Sequence, residues 1–176
     1  HDANWFPDFP TSAAKLAWFY EKSGGPSVDG VIGVTSDMLP ALLTLTGPIA
    51  MPAYHRTVTA DTVIGEMQKI VEVEYDKTHN APKQFVGDLL AEVLRRVQNF
   101  PAEKLPALAE VFSAALRTKT IQMAFSDPAV AAVADRAGWN GRLPKVTGDT
   151  LLVVDSNVGG GKTDAVVIKT QEISVR

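Results

Sequence analysis

The 176 residues carry 17 basic and 20 acidic side chains, 45% hydrophobic residues and no cysteine. That composition fits a globular chain with one substantial core, and a net charge of -3 leaves no basic footprint for nucleic acid. Without cysteine there is no disulfide, no thiolate nucleophile and no cysteine-held zinc or iron–sulfur centre.

In chain order, "HDANWFPDFPTS" is an aromatic, proline-rich lead-in, and Thr11 or Ser12 is expected to cap a short helix running to about Tyr20. After the "KSGGPS" loop, Val28 to Val34 reads as a short buried strand. Ser36 or Asp37 starts a helix through "MLPALLTLT", with Pro40 tolerated in its first turn. "GPIAMPAYHRTVTA" reads as irregular extended chain. Asp61 is the expected cap of a helix whose buried stripe is Val63, Met67, Ile70, Val71 and Tyr75.

Phe85, Leu89, Val93 and Val97, flanked by Val86, Leu90 and Leu94, mark an amphipathic helix. Asp88, Glu92, Arg95 and Arg96 fall largely on its other side, a solvated face. Leu105, Leu108, Ala109, Phe112 and Leu116 mark a second helix, and the two suggest a helical hairpin. Ile121 to Phe125 is a candidate strand. Asp127 followed by Pro128 is a helix start and Gly138 its stop. Leu151–Asp155 and Ala165–Val175 are expected to form a closing β-hairpin. The fold class is therefore mixed α and β, with several helices on a small central sheet, a helical hairpin and a C-terminal β-hairpin.

"DSNVGGGKTD" at 155–164 resembles a phosphate loop, but the register places Ser156 where G-x-x-x-x-G-K-[ST] needs its first glycine. The residues after it are β-branched and strand-like, so no helix dipole follows to face a phosphate. A calcium loop fares no better, since Gly159 and Val166 replace two ligands. The stretch reads as a hairpin turn. Gly159, Gly160 and Gly161 with Lys162 could still form an anion nest.

No metal or cofactor is expected. His1, His55 and His79 lack ligand spacing. Asp2, Asn4 and Asp8 could gather around a cation, but aspartates beside prolines more often cap turns. Trp5, Phe6, Phe9, Trp18, Phe19 and Tyr20 form the densest aromatic cluster, expected to seal the core, with an exposed sugar- or partner-binding face as the competing reading. Arg56, Lys83, Arg117 and Arg142 are too separate in sequence to show whether they converge on an anion.

These segments together resemble the bacterial domain-of-unknown-function family 4012. The motif positions are Asp2, Asn4, Trp5 and Asp8 in "DANWFPDFPTSA"; Asp29 and Gly30 in "VDGVIGV"; and Gly47 and Pro48 in "LLTLTGPI". Further along they are the "TADTV" helix start, Asp127, Gly138 and Trp139 in "SDPAVAAVADRAGWNG", and Asp155 and Asn157 in "VVDSNVGGGKTD". The resemblance implies an extracytoplasmic cell-envelope protein, membrane-anchored at full length, of unknown activity. It also implies a missing upstream segment, so residues 1–176 are expected to be one domain, the C-terminal part of a larger one, with that segment as one partner.

"VDGVIGVTSDMLPALLTLTGPI" is similar in layout to a segment of the LytR-CpsA-Psr phosphotransferases. That more distant resemblance implies an alternative, glycopolymer transfer from polyprenyl-pyrophosphate-linked substrates. The arginines of the family's pyrophosphate grip are absent from "DKTHNAPKQF" at 76–85, so no catalytic residue is carried over. The leading expectation is a structural or ligand-binding envelope domain, with a glycopolymer or lipid-linked molecule as ligand.

Overall fold

In the computed structural model, which describes residues 4–71, 83–144 and 146–154 together with 168, 170 and 172, the chain divides into two units, residues 1–145 and 146–176. In the first unit α1, Phe9–Lys22, starts earlier than its sequence suggests. Asp8 caps it, accepting from the backbone N–H of Thr11 at 3.2 Å and its hydroxyl at 2.7 Å. Pro10 then falls in the first turn, where a missing N–H costs nothing. Ser12, one of the two expected caps, is instead fully buried, its hydroxyl donating to the Phe6 carbonyl.

Strand β1, Gly30–Val34, pairs antiparallel with β4, Ile121–Phe125, from Gly30↔Phe125 to Val34↔Ile121. Among the described residues the sheet has these two strands. Helix α1 covers one face through Phe9, whose ring lies where a Cβ on Gly33 would come within 2.7 Å. Glycine at 33 is thus what lets the helix approach. The expected burial of β1 fails on the opposite face, where Ile32 and Val34 are 59% and 56% exposed. A strand is hidden on both faces only when both are covered, and among the described residues one is.

The core lies among α2 (Met38–Thr46), α3 (Val63–Lys69), α4 (Gln84–Gln98) and α5 (Leu105–Arg117). Phe85, Leu89 and Val93 project from α4 with the predicted spacing, each 1% exposed. On α5 the buried positions are Leu108 and Ala115, whereas Leu105 is exposed. Helices α4 and α5 are consecutive but pack chiefly against α2 rather than against each other.

The segment expected to be irregular holds a small hairpin, β2 (Ile49–Met51) with β3 (Arg56–Val58), turning at His55 in the left-handed region. Ile49 and Val58 are fully buried. Thr62, not Asp61, precedes α3.

Helix α6, Pro128–Arg136, begins as its sequence dictates. Asp127 accepts from the N–H groups of Ala129 and Val130, both at 2.9 Å. It ends in a Schellman closure, Trp139 N–H to the Ala134 carbonyl and Gly138 N–H to that of Asp135, with Gly138 at φ 68°.

In the second unit, Leu151–Val154 form no strand and are exposed. An extended run becomes a strand only when its amides find a neighbouring strand, and no strand partner is present among the described residues. The second arm of the expected closing hairpin, 165–175, falls mostly outside them.

Candidate functional site

The uncovered face of β1 becomes one wall of a groove of about 600 Å³. Ile32 and Val34 stand on that wall, Leu90 and Leu94 of α4 on another, and Met38, Leu39 and Leu42 of α2 are also part of the lining. Helical geometry explains how α4 does two jobs. Leu89 and Val93 sit on the strip that enters the core, while Leu90 and Leu94 lie a further ~100° round the helix. The two leucines are 48% and 51% exposed. Among the described residues no charged side chain lines the groove; its polar groups are Thr35 and Ser36, just beyond β1.

A second cavity, about 330 Å³, lies on the face of the sheet that α1 covers, lined by Phe6, Phe9, Leu16 and Gly33, and reaches Val34 and Thr35 at the strand end. Asn4, Lys119, Thr120 and Gln122 supply its polar wall. Lys119 adopts φ 63°, an uncommon conformation for a residue with a Cβ. Its ammonium donates to the Gly138 carbonyl.

The flank of α4 away from the groove is charged. Arg95 foremost, then Arg96, hold the Glu92 carboxyl down to about 2 by hydrogen bonding. Arg96 is not a freely solvated residue as the sequence suggested. It is half-buried and donates to the carbonyls of Thr46 (3.0 Å) and Gly47 (3.1 Å), closing the C-terminus of α2. Tyr54 packs edge-on to Phe85 with ring centres 4.9 Å apart, and its hydroxyl donates to Asp88 at 2.5 Å. Burial foremost, then that carboxylate, push the Tyr54 phenol up to about 12.

The sequence-derived site residues are brought together only in part. Asp8 accepts from Leu143 N–H at 3.2 Å, which fastens the lead-in to the loop after Gly138 and Trp139. The hydroxyl of Thr11, foremost, holds the Asp8 carboxyl below its usual value. Asn4 reaches the second cavity. Asp29 and Gly30 belong to the β1–β4 pairing, the Asp29 carbonyl accepting from Ser126 N–H at 2.8 Å. Gly47 ends α2 at φ 80°, just before Pro48.

Asp2, Asp155, Asn157, Gly159, Gly160, Gly161 and Lys162 lie outside the described residues, so the expected anion nest does too. Among the described residues no group of acids and histidines could hold a metal ion. The scattered cations do not form one cluster: Arg56 pairs with Glu66, Arg117 with Ser113 and Arg142 with Asp135.

The aromatic cluster does not seal the core. Phe9 is buried, but Trp5, Phe6, Trp18, Phe19 and Tyr20 are 40–62% exposed. Helix α1 meets the sheet along one narrow stripe on which Phe9, Ser12 and Ala13 are buried, which leaves the ring-bearing positions 18–20 exposed. Lys15 lies over the Trp18 ring, 4.4 Å from its centre.

No curated protein and no solved structure matches the chain. A family model covers the stretch that holds Asp2, Asn4, Trp5, Asp8, Asp29, Gly30, Gly47 and Pro48 and stops short of Asp127, Gly138 and Trp139. Residues 1–71 match the model of the family described as Protein of unknown function (DUF4012).

Proposed function

We propose that this domain is a binding module of the bacterial cell envelope that holds an apolar ligand between β1 and α4. The observation that carries this reading is the groove itself. Its volume falls in the ~300–1,000 Å³ range of small-molecule sites, and it is lined by apolar side chains that a closed core would have buried. Leu90 and Leu94, about half exposed, leave an apolar strip of α4 open to an occupant.

The extracytoplasmic, membrane-anchored placement rests on the family resemblance. It predicts that the full-length protein sediments with membranes and is cut by protease added to spheroplasts. Protection in intact spheroplasts would count against it.

Native mass spectrometry of the 176-residue chain, purified without detergent, tests the binding reading. A retained lipid-sized mass, lost in Leu94→Asp, is expected; a bare chain that also fails to brighten Nile red would refute it. Glycopolymer transfer from a polyprenyl-pyrophosphate donor by the same preparation would move the reading to the LytR-CpsA-Psr-like enzyme.

A further inference from the structure

We infer that α1 docks on a membrane surface that carries anionic lipid, meeting it with Lys15, Trp18, Phe19 and Lys22. The contact is separate from the groove and does not rest on it.

The four residues follow one another at i, i+3, i+4 and i+7, so they form a single stripe along α1. The buried stripe of Phe9, Ser12 and Ala13 is centred roughly 120° away round the helix. Packing on the sheet therefore turns the four outward, and Trp18 and Phe19 are 47% and 40% exposed.

The chemistry of the stripe selects what it meets. Lys15 and Lys22 lie on it, whereas Glu21, the one acid of α1, sits roughly 100° round from Lys22. Neither lysine has a carboxylate partner among the described residues. The stripe is thus basic on a chain of net charge -3, which makes it complementary to an anionic surface. Rings and lysines together suit the boundary between water and lipid: the rings settle at the level of the headgroups, and a lysine stem lies along apolar surface while its ammonium stays wet. Here the Lys15 ammonium lies 4.4 Å from the centre of the Trp18 ring and 5.2 Å from that of Phe19, so charge and rings are presented as one patch. The two rings stand at 71° to each other with centres 4.9 Å apart. They form no common flat platform on which a sugar could stack, which favours a lipid surface over a glycan.

Co-sedimentation of the 176-residue chain with phosphatidylcholine vesicles, with and without phosphatidylglycerol, tests this. The chain is expected to pellet with the anionic vesicles and to be released by salt. Replacing both lysines, Lys15→Gln with Lys22→Gln, is expected to weaken partitioning about thirty-fold, at roughly five-fold for each lysine near the surface. Trp18→Ala is expected to weaken it as well. All three positions are exposed, so thermal melting should change little in these variants. Failure of the unsubstituted chain to pellet with the anionic vesicles would overturn the inference, whether or not the variants fold. Equal partitioning into both kinds of vesicle, or partitioning that survives the loss of both lysines, would do the same. Retention on lipid-free cell-wall glycan in place of vesicles, abolished by Trp18→Ala, would assign the face to a sugar instead.

Discussion

Two adjacent leucines on α4 give the most direct measure of whether the groove is open. Leu89 is 1% exposed in the core, and Leu90 is 48% exposed on the groove wall. Truncating Leu89 to alanine removes a fully buried side chain and leaves a cavity, a loss of about 2–5 kcal/mol. In a chain of this size that lowers the melting temperature by about 4–20 °C. Leu90→Ala removes contacts from a side chain only half withdrawn from water. Half of the ~1.5–3 kcal/mol for burying a leucine is about 1 kcal/mol, and a melting shift of no more than about 4 °C follows. Thermal denaturation followed by circular dichroism distinguishes the two, with Nile red binding measured on the same samples. Leu89→Ala should melt much earlier, whereas Leu90→Ala should melt almost normally and bind the dye less well. If Leu90→Ala proves as destabilising as Leu89→Ala, the groove is closed core in solution, and the functional argument built on it falls.

Asp127→Ala should cost about 0.5–2 kcal/mol, because both N–H bonds at the start of α6 lose their acceptor; urea denaturation measures it, and Asp127→Asn should recover most of the loss. The Tyr54 phenol, ordinarily near 10, is raised to about 12 in the fold. Its contribution to stability is therefore complete below pH 10 and is lost as pH rises toward 12. Ultraviolet titration should show a late ionisation that Tyr54→Phe removes, and a late component that persists in the variant would contradict the assignment.

What was legible in the sequence was local. Asp127, Pro128 and Gly138 carry the start and stop of α6 in their own chemistry, and Phe85, Leu89 and Val93 repeat at the helical period. The β2–β3 hairpin escaped because three-residue strands are too short for an alternation to register, and Pro52 between them reads as a breaker. The groove escaped for a different reason. Val86, Leu90 and Leu94 widen the apolar stripe of α4 beyond what its core contact needs, but periodicity does not say whether a wide stripe is covered. Composition likewise could not tell that the aromatic residues of the lead-in and α1 would stay in water. That depends on how narrow a stripe of α1 meets the sheet, which is a property of the assembled layers. Lys119 carried no sequence signal, since its position past the strand end and its left-handed backbone are set by tertiary structure.

Strands β1 and β4 are joined by residues far apart in the chain, Val34 with Ile121, across the segment that holds α2 to α5. Closing a loop of roughly ninety residues costs on the order of 4 kcal/mol of chain entropy, and long-range pairings of this kind form late in folding. The wall that Ile32 and Val34 supply therefore exists only once the two ends of the helical segment have met. An occupant that binds only the closed form adds its binding energy to that closure by mass action. Occupancy would then slow opening of the sheet, making the lifetime of the β1–β4 pairing, read by amide exchange at its backbone, a gauge of whether the groove is filled.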